Sequence, residues 1–506
     1  MRGKKAIKNM VAAMAYQIVT IICGLITPRL ILSAFGSTYN GVVSSATQFL
    51  NMISILTLGI TGSTRVALYK TLANNDILAT SRIMKATKLY MRKVAIGVII
   101  YATVLCVVYP FVAHNDLTHS QNAALIAIVS VGTFARYFFG ISNQTLLKAD
   151  QAGYISYGLS ILSTIANTII VAILIYAGGS IYTVKLGSSV VFLMVPAIMN
   201  VYVKKKYALI SDCTPSNEGL AQRRAVAVHS IANIVHDNTD LIILTLFTDA
   251  KIISVYTVYY LVIGKIKSLL HIVTSGMEAA FANMWVKEEY DTLKRNFSGF
   301  EHVIFTFTAV VFSCVAMLIL PFVTRYTQGI HDVQYVRVDM AVLITIAEAA
   351  FCIRQPYLIL VYATGNYNAT KKGAVLEAVI NIVVSVVMTA MIGISGVVIG
   401  TLVANVIRTA QYFLFITKNI LKTDPRKGLK RVLWLIATSL SICGISAAII
   451  PLLSAPLNWA GWIMQAVIVF FIACVVTLLA SVAFYRKDME FILSFAKRLV
   501  RSKKSS

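Results

Sequence analysis

Acidic residues are scarce in this chain. Of 506 residues only 20 are Asp or Glu, against 45 Lys or Arg, and charge of both signs together amounts to 13%. A soluble protein of this length would need several charged surfaces, so that class is excluded. The seven cysteines form no CxxC or Cys/His ligand spacing, which excludes a zinc or redox motif. Six of them (Cys23, Cys106, Cys314, Cys352, Cys443 and Cys474) fall in apolar runs and read as small fillers. There is no Gly-rich phosphate loop ending in Lys-Ser/Thr, so the sequence encodes no ATP hydrolysis of its own. The basic start, Met1 to Lys8, leads into a long apolar run without an A-x-A cleavage site and reads as a retained first helix.

What is abundant is apolar sequence. Hydrophobic residues make up 58%, mean hydropathy is +0.78, and runs of about twenty apolar residues recur throughout, the length that crosses a bilayer. The pattern predicts an all-α polytopic membrane protein with about fourteen helices. They fall near 10–34, 40–67, 94–113, 122–147, 155–177, 181–203, 226–248, 252–284, 301–324, 337–363, 373–394, 396–417, 432–454 and 459–484. Basic residues gather in alternate loops: Lys70 to Lys93, Lys204 to Arg224, Lys418 to Arg431 and Arg486 to Lys504. The opposite loops carry only Lys251, Arg325 and Arg337, so both termini are expected in the cytoplasm. The net charge of +25 flanks apolar spans, which points to anionic lipid headgroups and topology rather than nucleic acid. Residues 70–93 are long enough for a separate surface helix, and the tail 486–506 suits either an amphipathic helix on the inner leaflet or a solvated basic end.

Two halves resemble each other weakly at an offset near 214 residues: Tyr157-Gly158 to Asn167 against Lys372-Gly373 to Asn381, each followed by a Gly-rich turn. Residues 1–205 and 226–420 then form two six-helix lobes joined by a linker at 206–225, with two additional helices in 421–485.

Polar residues inside the spans mark candidate sites, because a charge at the bilayer centre costs about 2.5–3.5 kcal/mol or more. His229, Asn233, His236 and Asp240 share one helix face, with Asp237 beside them. Ser44, Gln48, Asn51, Gly62 and Arg65 form a second stripe; Tyr256, Tyr260, Lys267, His271 and Glu278 a third. Pro28, which loosens its helix, precedes Arg29. Each has a structural reading too. Asp237 and Lys267 would neutralise each other at similar depth. Arg65 and Lys185 near span ends would snorkel. Arg29, Arg136, Arg354 and Arg408 would bind backbone carbonyls as readily as a substrate, and a buried His is more often structural than a proton carrier.

The distribution of sign is more informative than any single residue. Arg29, Arg65, Arg136 and Lys185 lie in the first six expected spans, with no acid there; Asp237, Asp240, Glu278, Glu348 and Glu377 all lie later. A cationic first lobe suits an anionic cargo such as a diphosphate, whose oxygens pair with guanidinium forks.

Certain segments, in order, resemble the multidrug/oligosaccharidyl-lipid/polysaccharide exporter superfamily, and within it the bacterial polysaccharide-repeat flippases of the Wzx type. They are Pro28-Arg29-Leu30-Ile31-Leu32, Phe35-Gly36, Asn40-Gly41, Leu58-Gly59-Ile60, Thr239-Asp240-Leu241-Ile242-Ile243 and Tyr256 to Tyr260. Ile353-Arg354-Gln355-Pro356, Ala363-Thr364-Gly365, Glu377 to Asn381 and Gly393-Ile394-Ser395-Gly396 complete them. The resemblance covers almost the whole chain. It implies two six-helix lobes around a central cavity, and translocation of an undecaprenyl-diphosphate-linked oligosaccharide across the bacterial cytoplasmic (inner) membrane by alternating access. The lipid tail would lie along a gap between helices. The related lipid II flippases use arginines in helix 1, a residue or two from where Arg29 stands. The expected substrate-binding set is Arg29, Arg65, Arg136, Lys267, Arg354, Arg408, Gln48 and Asn51. His229, His236, Asp237 and Asp240 are expected to couple an ion or to serve structure. No cofactor is expected beyond a coupling proton or sodium ion. Expected partners are the lipid-linked oligosaccharide, anionic lipids, a polysaccharide polymerase and a chain-length regulator.

Two other readings predict different features. A drug or organic-cation antiporter of this fold would carry acids in its first lobe. A membrane glycosyltransferase or polymerase would carry a large outer loop with catalytic residues, whereas the outer loops here span about a dozen residues or fewer.

Overall fold

The computed structural model describes residues 2–57, 60–210, 212–216, 234, 238–274, 276–452 and 458–489. His229, Asn233, His236, Asp237, Leu58, Gly59, linker residues 217–225 and the tail from residue 490 lie outside the described residues. The described chain is helical, with one isolated bridge, His114 to Asp249. Among the described residues, twelve helices are long and apolar enough to cross a membrane. One of them, Lys8–Thr57, contains a break at Gly36, and Asn238–Phe247 is a shorter apolar helix, in accord with the fourteen or so helices expected.

Contacts divide the chain into two compact units. Unit 1 holds Met1–Thr257 and Gly329–Val333; unit 2 holds Val258–Gln328 and Gln334–Ser506.

In unit 1 the helices are α1 (Arg2–Asn51), α2 (Ile60–Ala73), α3 (Ile77–Val112), α4 (His119–Ala135), α5 (Ile141–Ala149), α6 (Gly153–Tyr176), α7 (Ile181–Lys206) and α8 (Asn238–Phe247). α9 (Ala250–Thr274) carries the boundary between the units. α1 is interrupted at Gly36, whose φ of 80° and ψ of −178° only glycine adopts freely. The chain then restarts at Ser37, whose N–H and hydroxyl donate to the two Asp332 carboxylate oxygens at 2.8 and 2.6 Å. That carboxylate satisfies a donor which a helix start otherwise leaves open. Beyond the break, α1 lies along α8 and the start of α9 through Asn40–Ser254 (2.8 Å), Ser45–Thr245 (2.6 Å) and Gln48–Asn238 (2.7 Å). Gly41 is needed here, since a Cβ would collide with the Ala250 carbonyl.

Three expected boundaries need correction. Residues 70–93 do not form a separate surface helix. α3 is continuous from Ile77, because Asp76 caps it through the Ala79 N–H at 2.8 Å, and Ile83 and Met84 are buried beside Leu68, Leu146 and Leu147. The expected helix 40–67 is broken: a 3₁₀ turn at Met52–Thr57 precedes α2. The expected helix 252–284 is two, α9 and α10 (Met277–Val286).

Unit 2 continues with α11 (Tyr290–Tyr326), α12 (Val338–Ala363), α13 (Tyr367–Ile392), α14 (Ile394–Phe415), α15 (Pro425–Ile449) and α16 (Trp459–Phe484). α13 and α14 close into a tight hairpin. Gly396 and Gly400 sit so near Met388 and Ser385 that any side chain there would overlap the facing helix. Asp424 caps α15 with Pro425 in its first turn, and Asn458 caps α16 through the Gly461 N–H at 3.0 Å.

Candidate functional site

A cavity of about 530 Å³ opens within unit 1, walled by α1, α4, α5, α6 and α7. Among the described residues its cations are Arg136 and Lys185, and no Asp or Glu lines it. A local irregularity of the helix explains how Arg136 reaches it. Between α4 and α5 the chain makes one π-helical turn, Arg136–Gly140, which inserts an extra residue and re-aims the side chains around it. Gly140 packs against Pro196 of α7; a Cβ there would meet the proline ring at 3.6 Å. Pro196 donates no N–H, which leaves the Phe192 carbonyl one turn back without its helical partner, and both residues line the cavity.

The wall is rich in hydroxyls. Thr47, Thr133, Ser160, Thr164 and Ser188 line it, with Gln144, whose amide donates to Ser156 at 3.1 Å. Ser189 donates to the Ile128 carbonyl at 2.8 Å, and Thr164 to the Ser160 carbonyl at 2.7 Å, so their oxygens can still accept. Arg136 is exposed into the space and Lys185 half-buried. Neither forms an ion pair with a described carboxylate. Among the described residues such a surface offers two cations, several hydroxyls and no competing acid, which is the chemistry for an anion bearing polar groups.

The expected site residues fall into four groups. Arg136 lines the cavity. Arg29 is partly buried in α1, and Arg65 is exposed in α2, where it lines a smaller cavity with Lys148. Gln48 donates to Asn238, Asn51 is exposed, and Asp240 is buried and accepts from the Tyr256 hydroxyl at 2.7 Å. Lys267, Arg354 and Arg408 lie in unit 2, each held by an acid. Lys267 pairs with Glu348 at 2.9 Å; Asp237, its expected partner, lies outside the described residues. Arg354 and Arg408 both pair with Glu377, the latter at 3.2 Å. Arg408, fully buried, also donates to the Thr370 carbonyl (3.1 Å) and the Tyr412 hydroxyl (2.5 Å). The Phe351 ring lies under both cations, 4.4 Å from Lys267 and 4.8 Å from Arg354.

Sequence reasoning placed Lys185 at a span end with its amine reaching for water. In the structure its side chain lines the cavity. Ile181, Val184, Ser188 and Val191 are buried, so position 185 lies beside the packed face of α7. The helical spacing of those residues was the available signal. Lys148 had no such signal and emerges only from packing.

Comparisons with known proteins give the fold. No protein-family model matches the chain, and no curated protein matches its sequence. Solved structures do match. The lipid II flippase MurJ in an inward closed conformation aligns with TM-score 0.67 and 14% identity, over 94% of this chain and 99% of that one. An inward-facing multidrug resistance MATE family transporter of the MOP superfamily aligns with TM-score 0.61 and 12% identity, over 82% and 98%. A MOP superfamily transporter from Pyrococcus furiosus, for which reverse polarity of the binding pocket is said to suggest a different function, aligns with TM-score 0.60 and 14% identity, over 83% and 97%. The chain is therefore an all-helical, multi-pass membrane protein with the fold of transporters and flippases of the MOP superfamily.

Proposed function

We propose that this protein is a flippase for an undecaprenyl-diphosphate-linked oligosaccharide, moving repeat units across the bacterial cytoplasmic membrane by alternating access for surface polysaccharide assembly. The observation that carries this reading is the cavity of unit 1, in which Arg136 and Lys185 meet a hydroxyl-rich wall with no acid among the described residues. A diphosphate would take the guanidinium and ammonium, and sugar hydroxyls would exchange hydrogen bonds with the Ser and Thr side chains. The fold likeness to a protein named as a lipid II flippase supports the class of cargo. Both termini would face the cytoplasm, and a proton or sodium ion would supply the driving force. The polymerase and chain-length regulator of the same assembly line would be partners.

The likeness to MATE transporters supports a second reading, a drug or organic-cation antiporter. The cavity disfavours it, because a cationic drug would meet like charges there. Reconstitution separates the two. Liposomes holding the purified protein are expected to translocate a fluorescent lipid-diphosphate saccharide and not ethidium. Translocation of ethidium alone would establish the antiporter instead.

A further inference from the structure

A second, smaller cavity of about 350 Å³ lies in unit 1, lined by Asn9, Met10, Arg65, Lys148, Gly153 and Tyr157. Its two cations come from α2 and α5, and a buried apolar cluster including Leu68, Leu146 and Leu147 fixes the backbones that present them. Neither cation pairs with a described carboxylate. The nearest acid in sequence, Asp150, is already engaged: Lys5 sits 3.5 Å from it and the Tyr207 hydroxyl donates to it at 2.6 Å. Burial, reinforced by that carboxylate, pushes the Tyr207 pKa up, so the phenol stays a donor. Asn9 shapes the rim. Its amide donates to the Gln151 carbonyl at 2.9 Å and its oxygen accepts from the Tyr154 N–H at 2.7 Å, which ties α1 to the turn between α5 and α6.

This space is next to the larger cavity but distinct from it. Tyr16 lines one and Tyr157 the other, with ring centres 5.9 Å apart. Gln144, one turn before Lys148, belongs to the larger cavity. Lys148 lies within electrostatic range of both Arg65 and Arg136. Four basic side chains thus follow one another through unit 1 in the order Lys185, Arg136, Lys148, Arg65. Like charges this close raise one another's energy unless an anion sits among them.

We propose that Arg65 and Lys148 form a second phosphate-binding site, so that unit 1 offers a phosphate group two successive stations rather than one. The proposal rests on the anionic-cargo reading above and adds a site to it. The phosphate group has two sources: the diphosphate of the cargo, or the headgroup of an anionic bilayer lipid.

Inorganic pyrophosphate titrated into the full-length protein in phosphatidylcholine nanodiscs, followed by calorimetry, tests the assignment. Wild type is expected to bind two equivalents. Arg65→Ala with Lys148→Gln should lose one, and Arg136→Ala with Lys185→Gln should lose the other. The charge-retaining pair Arg65→Lys with Lys148→Arg should restore the lost equivalent, which guards against misfolding as the cause. Adding phosphatidylglycerol distinguishes the sources. A roughly tenfold loss of affinity confined to the Arg65 station marks a lipid-headgroup site, and an unchanged affinity marks a cargo site; either supports the proposal. It is overturned if the Arg65/Lys148 double variant still binds two equivalents, or if wild type binds only one, held by Arg136 and Lys185. Binding of none would also remove the anionic-cargo reading itself.

Discussion

The two units treat positive charge on their helices in opposite ways. In unit 2 four cations on the helices have carboxylates: Lys267 has Glu348, Arg354 and Arg408 share Glu377, and Arg431 has Glu301 at 3.3 Å and Asp488 at 2.7 Å. In unit 1 Arg136, Lys185, Lys148 and Arg65 stand around cavities with no acid among the described lining residues. Charge that is neutralised inside the protein holds helices together. Charge without a described counter-ion is available to a ligand. The contrast separates structural from ligand-binding candidates within a single chain.

The largest effect is expected where the charge network is closed. Glu377→Ala strands two buried guanidinium groups, and should destabilise the protein by about 3–5 kcal/mol, since breaking a buried pair leaves an uncompensated charge. Thermal unfolding in detergent would register this as a drop of several degrees or loss of the folded peak. An unchanged midpoint would mean that the α12–α13–α14 charges are not a structural network.

Next comes the break in α1. Gly36→Ala forces a side chain into a backbone region that glycine alone occupies readily, and its Cβ would lie 3.1 Å from an Asp332 oxygen. The expected cost is about 1–3 kcal/mol, with Asp332→Ala costing about 1 kcal/mol through the lost helix cap. Equal stability of all three proteins in chemical denaturation would show that the Gly36–Asp332 junction bears no load.

The smallest effect on stability is expected in the cavity itself. Arg136→Ala and Lys185→Gln should each shift stability by no more than about 0.5 kcal/mol, because neither gives up an ion pair. A fall comparable to that of Glu377→Ala would erase the distinction between the units.

Much of the fold was legible because membrane spans are long and uniform. The span 459–484 is found with the limits read from its apolar run, and α7 and α12 begin where their loops end. α3 was read too short because Arg82, Lys85, Arg92 and Lys93 look like loop sequence; only the packing of Ile83 and Met84 shows that these basic residues cover the other faces of one helix. The imbalance of sign was legible by counting. Pairing was not. Arg354 and Arg408 carry the same local signature as Arg136, and what separates them is Glu377, which comes near only when α13 folds against α12 and α14. The π turn at Arg136–Gly140 has no sequence mark, so the orientation of Arg136 had to be observed. Arg431 was counted with a cytoplasmic loop, yet it joins Ser298, Glu301 and Asp488 across α11 and α15.

The central claim is that the cations of the unit 1 cavity serve cargo rather than structure. Surface polysaccharide export by cells carrying Arg136→Ala with Lys185→Ala, at a membrane level of protein equal to wild type, tests it most directly. The account predicts that export falls by at least tenfold, about the loss of one charge-assisted contact, and that Arg136→Lys with Lys185→Arg recovers part of it. Full export by the double alanine variant, with the protein folded and abundant, would contradict the account.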